Sequence, residues 1–193
     1  GWRWVKHTNL YVGDGGSSNS LLIARGAEVL VGNSSAIIGN ASSANSNLVT
    51  VTDAGSLLRC ASQKFTFGNG SFNTSLITNG GTVQTKGFDV DAGTSGENRL
   101  VIANGTLNVQ ESAFHMYGGS VILNGGVVNT PQLWLDGGSF TFNAGTVKIG
   151  HKVGNNGAVF TVGDGVNDAT YYMSGLPSDT HLFSSGLLIA NQG

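Results

Sequence analysis

The sequence predicts an all-β chain whose short parallel strands wind as a solenoid, three strands to a coil, through roughly seven to eight coils. Three observations carry this. Apolar and polar residues alternate strictly in short runs, which marks strands with one buried face. These runs recur at fixed offsets from a glycine. No segment of the 193 residues shows the apolar period of a helix.

The first and second strands of each coil flank that glycine. Gly105 is preceded by Leu100 and Ile102 and followed by Leu107 and Val109. Gly145 has Phe140, Phe142, Val147 and Ile149 at the same offsets. Gly126 has Val121, Leu123, Val128 and Thr130, and Gly81 has Leu76, Thr78, Val83 and Thr85. The units around Gly26 and Gly55 follow with one-residue shifts, as a turn insertion produces. Those shifts place Cys60 in register with Val31, pointing inward.

The third strand is an apolar-x-apolar triplet closed by a turn. It reads Leu10-Tyr11-Val12, Ala36-Ile37-Ile38, Phe65-Thr66-Phe67, Phe88-Asp89-Val90, Phe114-His115-Met116, Leu133-Trp134-Leu135 and Phe160-Thr161-Val162. The Gly, Asp or Asn that ends most of these triplets suits the left-handed backbone of a tight turn. Units of roughly 19–29 residues fall in the range of solenoid coils. Strands this short, with no hairpin signature between like units, stack most economically in parallel on their counterparts. At ~4.8 Å per rung the rod is on the order of 35–40 Å long.

The segments Asn-Ser-Leu-Leu-Ile-Ala-Arg-Gly (19–26), Asn-Arg-Leu-Val-Ile-Ala-Asn-Gly (98–105) and Gly-Gly-Ser-Phe-Thr-Phe-Asn-Ala-Gly-Thr-Val (137–147) give the chain its likeness. It resembles the right-handed parallel β-helix proteins of bacterial surfaces, including autotransporter-passenger-like adhesins, over nearly its whole length. That resemblance implies an extracellular or cell-surface location and a structural or adhesive role. Polysaccharide enzymes share the same architecture, so the fold alone does not fix an activity.

Composition narrows the classes. Charged residues are 10%, and nine basic side chains scattered singly make no nucleic-acid footprint. Thirty-one glycines lack a G-X-Y period, which excludes collagen. Cys60 is the single cysteine, so no internal disulfide forms. No apolar run approaches the ~18–20 residues of a membrane-spanning helix. One solenoid domain over 1–193 is expected. Residues 1–8 are either an N-terminal cap, with Trp2-Arg3-Trp4-Val5 over the first rung, or a plain first strand. The chain opens on Gly and shows no signal peptide, as in a processed or excised piece. Leu187–Gly193 copies half a repeat and stops, so either a longer solenoid or another chain is expected to complete it.

Outward positions carry function on such a rod, because inward ones fill it. The outward row of the first strand reads Leu22, Thr50, Ile77, Val101, Ile122, Thr141 and Leu188. Its apolar character marks a contact surface, covered by another copy or another domain, or within the chain by a long loop or the N-terminal segment. The second-strand row, Leu30, Arg59, Gln84, Asn108, Asn129 and Lys148, is ordinary solvated sheet. The third-strand row brings Asp89, His115 and Trp134 onto successive rungs. A sugar stacked on Trp134 and hydrogen-bonded by the other two is one reading; unavoidable adjacency in a solenoid is the other. Asp89, Asp91 and Glu97 form a weak calcium candidate. Gly93 stands where an EF-hand loop needs Asp or Asn, and a solvated turn explains the carboxylates equally.

Gly150-His151-Lys152 lacks the paired carboxylates of a polysaccharide hydrolase, and no catalytic set and no cofactor is expected. Asn-x-Ser/Thr at Asn33, Asn40, Asn69, Asn73 and Asn104 follows from composition. The expected function is a structural or adhesive extracellular solenoid. It would self-associate into a filament or surface layer by end-to-end strand pairing and lateral apolar contact. The alternative is a carbohydrate-binding or polysaccharide-degrading β-helix.

Overall fold

A computed structural model describes residues 2–91, 97–155, 159–173 and 179–189. The described residues are all β, without a helix, and stack as a solenoid of about seven turns. β1 (Arg3–Lys6) and β2 (Leu10–Val12) start the rod. β3 (Ser20–Ile23), β4 (Glu28–Val31) and β5 (Ala36–Ile38) complete the first full rung. Next come β6 (Leu48–Thr52) with β7 (Leu57–Phe67), then β8 (Thr74–Thr78) with β9 (Thr82–Val90). β10 (Arg99–Ala103), β11 (Gly105–Val109) and β12 (Ala113–Met116) form the fourth rung. β13 (Ser120–Leu135) and β14 (Ser139–Asn155) each run through a whole rung. β15 (Phe160–Val162), β16 (Ala169–Met173) and β17 (Thr180–Leu182) form the next, and β18 (Leu187–Ile189) follows.

Every pairing between these strands is parallel, and the strands form three columns. The second column shows the register: Val5, Leu30, Arg59, Gln84, Asn108, Asn129, Lys148 and Tyr172 stand rung on rung and face outward. The inward residues form one core. Its spine is aromatic, with Phe65 on Phe88 at 4.9 Å, Phe88 on Phe114 at 5.5 Å and Phe114 on Phe140 at 6.3 Å. Phe140 belongs to the first column and the others to the third. The spine crosses the core where Leu133 replaces a third-column Phe. Buried aromatics of this kind each remove about 150–250 Å² from water, the largest contribution available to so narrow a rod. Cys60 sits against Val31 with no exposure, and burial pushes its thiol pKa up to about 12, so it is packing material and not a nucleophile.

Two corners are closed by side chains. The Thr85 hydroxyl donates to the Gly87 carbonyl at 2.8 Å and accepts from the Phe65 N–H. Thr130 repeats this with Gln132 and Phe114. These two inward threonines satisfy backbone that the bend takes out of the ladder.

The other corner, from third strand back to first, holds a ladder of asparagines that starts at exposed Asn19 and continues through buried Asn47, Asn73 and Asn98. The backbone N–H and the Nδ2 of Asn19 both donate to Asn47 Oδ1, at 2.9 and 3.0 Å. Asn47 does the same to Asn73 Oδ1, and the Asn73 N–H donates to Asn98 Oδ1 at 2.8 Å. Asn98 Nδ2 then donates to Asp91 Oδ1 and to the Gly70 carbonyl. Gly39 makes room for the ladder: it has φ +69°, and a Cβ there would lie 2.2 Å from the Asn73 side chain. Asn73 is fully buried, which removes it as a glycosylation site.

The structure corrects two placements. Ile77 is in the core with no exposure, in register with Ile102, and Leu76 takes the outward place beside Val101. The turn Asn79-Gly80 has one residue more than the turn at Asn104, so β8 is shifted by one and its faces exchange. Phe160–Val162 belongs to the first column, paired with Leu187–Ile189, so Thr161 is not in the Trp134 row. The third strand on the rung after Trp134 is Val153-Gly154-Asn155, at the end of β14. At the N-terminus, Arg3–Lys6 is a strand paired in parallel with β4. Trp4 stands in register with core residue Val29 but is 48% exposed, with no described rung beyond it.

Candidate functional site

The outward first-column row exists with one substitution. Leu22, Thr50, Leu76, Val101, Ile122 and Thr141 stand on consecutive rungs, and Leu188 lies two rungs further along the same column. Leu22 is 66% exposed and Leu188 53%, while Leu76, Val101 and Ile122 are half-buried. Rungs lie only about 4.8 Å apart, so neighbouring side chains shield one another's flanks. The outer faces of three successive rungs are therefore aliphatic.

Asp89, His115 and Trp134 are direct register neighbours, as their alternation requires. Each is engaged elsewhere. Asp89 is buried and accepts from Lys64 Nζ at 2.7 Å. His115 Nε2 lies 2.6 Å from Asp136 Oδ2, and its ring stacks on Tyr117 at 3.7 Å with 19° between planes. Trp134 donates from Nε1 to Gln132 Oε1 at 3.1 Å. Its indole lies flat over Gly154, where a Cβ would come within 2.3 Å of the ring. The row is a set of braced side chains, not three convergent groups around a shared void.

The calcium candidate is not assembled. Asp91 takes a left-handed backbone (φ +55°) and turns its carboxylate into the corner, toward Asn98, while Asp89 stays on the outer face with Lys64. Glu97 is exposed. Among the described residues, no three His, Cys, Asp or Glu side chains gather as a metal site. Gly93 lies outside the described residues. Asp91 is nonetheless unusual: burial raises its carboxyl pKa against the opposing Asn98 hydrogen bond, and Oδ2 has no hydrogen-bond partner.

A cleft of about 700 Å³ opens beside this corner, lined by Glu97, Arg99, Tyr117, Ser120 and Ile122 with glycines at its base. The corner segments explain it. Early rungs return through the long stretches between Ile38 and Leu48 and between Val90 and Arg99. The next rungs return through Tyr117-Gly118-Gly119 and Asp136-Gly137-Gly138. Glu97 and Arg99 line the cleft from the longer stretch, and Tyr117-Gly118-Gly119 from the shorter one.

At the C-terminal end of the described rod, the Tyr171 hydroxyl pairs with His181 Nδ1 at 2.6 Å beside Phe160 and Phe183. Burial lowers the His181 pKa and Asp179 opposes the shift. Both positions face inward, so this pair serves packing.

The asparagine ladder and the cleft were missed by sequence reasoning. Asn immediately before the first strand at 19, 47, 73 and 98 was a visible signal for the ladder. The cleft's signal was the shortening of one corner. No protein-family model matches this sequence, and comparison with curated proteins and with solved structures finds no match either. What is shown is the architecture, a parallel β-solenoid, and no family.

Proposed function

We propose that this chain is a structural β-solenoid of an extracellular or surface assembly, associating laterally with copies of itself through its first-column face. The observation that carries this reading is the aliphatic outer row Leu76, Val101 and Ile122 on three consecutive rungs, extended by Leu22. A solvated sheet face would carry polar side chains there, as the second column does with Gln84, Asn108 and Asn129. End-to-end growth would add to it. Among the described residues, β1 pairs only with β4 and β18 only with β15.

Sedimentation velocity across a concentration series tests this, read beside electron microscopy of the same samples. The wild-type chain is expected to associate as concentration rises, and Val101→Asp to remain monomeric with its β-sheet circular dichroism unchanged. A wild-type chain that stays monomeric throughout, or a Val101→Asp variant that associates equally, removes the lateral contact.

A further inference from the structure

We infer that the corner beside Tyr117 is a binding cleft for a neutral saccharide. The cleft uses Tyr117, Glu97 and Arg99, which the self-association reading does not, and shares Ile122 with it. Tyr117 is 44% exposed, yet its ring is not loose. His115 stacks on it at 3.7 Å, and Asp136 holds His115 through a 2.6 Å contact. An aromatic wall fixed from behind loses little conformational freedom when a ligand packs on it. Ile122 supplies a second apolar surface in the same cleft.

The polar lining complements this. Arg99 and Glu97 both border the cleft, and neither has an ion-pair partner among the described residues. One offers donors and the other acceptors, and the Ser120 hydroxyl offers both. Their charges cancel, so the lining favours neither a polyanion nor a polycation. A sugar ring has the matching character: an apolar C–H face for Tyr117 and Ile122, and hydroxyls that donate and accept around its edge. The cleft lies within the volume range of small-molecule sites, about 300–1,000 Å³. His115 keeps a part in this site as the brace of Tyr117. Trp134, committed to Gln132 and Gly154, does not.

Titration calorimetry against cello-, manno-, galacto- and xylo-oligosaccharides tests the inference. At least one of the four is expected to bind. Tyr117→Ala and Arg99→Ala are each expected to weaken that binding at least about tenfold, a change of one unit in log Kd. Trp134→Ala is expected to leave it unchanged. Val101→Asp, outside the lining, should also leave it unchanged, so the two proposals fail separately. Arg99 is an exposed strand position, so its variant reports binding even if Tyr117→Ala disturbs the corner. Absence of binding to all four oligosaccharides overturns the inference, as does binding that survives both the Tyr117 and Arg99 substitutions or is lost with Trp134→Ala.

Discussion

The corner from third strand to first is built in two ways along one rod. From Val12 to Arg99 it is long and held from inside by asparagines whose Oδ1 atoms accept the backbone N–H of the asparagine one rung before. From Met116 to Ser139 it is short, and the glycine backbone of its second turn stacks directly on that of its first. A Cβ on Gly138 would lie 2.4 Å from the Gly119 carbonyl oxygen. The first solution tolerates loop length, since the ladder supplies the order that the loop lacks. The second demands a minimal loop, and in exchange leaves a recess. The cleft lies at the junction of the two, where Asn98 and Asp91 end the ladder and Gly118-Gly119 begins the stack.

The largest effect should come from breaking the ladder in its middle. Asn47 is buried, accepts from the N–H and Nδ2 of Asn19, and donates to Ala44 O and Asn73 Oδ1. Asn47→Ala removes these side-chain hydrogen bonds and leaves a void among buried groups, at a cost of about 3 kcal/mol. Urea unfolding followed by circular dichroism reads the loss as a lower midpoint at unchanged slope. A change below about 0.5 kcal/mol, the size of an ordinary surface substitution, would mean that the ladder accompanies the corner without supporting it.

The glycine-stacked half is tested by a pair of substitutions. Gly26 and Gly138 both have left-handed backbones, with φ +72° and +75°. Around a Cβ on Gly26 there is open space, whereas one on Gly138 meets backbone of the rung before it. Gly26→Ala should therefore cost only the conformational penalty, about 1–2 kcal/mol. Gly138→Ala should cost more than that, because the clash is with backbone that cannot rotate away. Equal losses in thermal unfolding would show that the stack has slack.

This contrast also separates what the sequence disclosed from what it hid. Alternation fixed which residues fill the rod, because a parallel coil buries one face whatever its turns do. Leu100, Ile102, Leu107, Val109, Phe88 and Phe114 are all core. Register errors arose at turns. The extra residue in Asn79-Gly80 moved Ile77 inward, a shift invisible when the unit is aligned on Gly81 alone. Val153-Gly154-Asn155 was hidden because its outward residue must be glycine beneath the Trp134 indole, and Gly-Asn reads as a turn. The outward residues of the third column were legible as neighbours, yet their hydrogen bonds were not. Whether Asp89 meets Lys64 or a ligand depends on side chains one rung away, which alternation does not specify. The cleft needed the lengths of two successive corners compared, not any one motif.

The smallest effect, and the one that bears on the junction itself, is expected at Asp91. Its Oδ1 takes the Asn98 amide, the place an asparagine would hold if the ladder continued. Its Oδ2 is buried without a hydrogen-bond partner, on the side of Gly119 where the Asn98 carbonyl also lies. Desolvation there raises the carboxyl pKa above its ordinary 3.8, so the folded chain holds this proton more tightly than the unfolded chain. Stability from this group is therefore full below the unfolded value. It falls as pH rises through the window between the two values and then stays level. Asp91→Asn keeps the Oδ1 acceptor, puts a donor beside the Asn98 carbonyl, and carries no charge to bury. At neutral pH it should raise the midpoint of thermal unfolding by a few degrees at most. The gain should shrink as wild type and variant are compared at progressively lower pH, where the native carboxyl is already neutral. A variant less stable than wild type at neutral pH would instead show that the ionised carboxylate is held favourably, and that the ladder needs a charge at the point where glycine takes over.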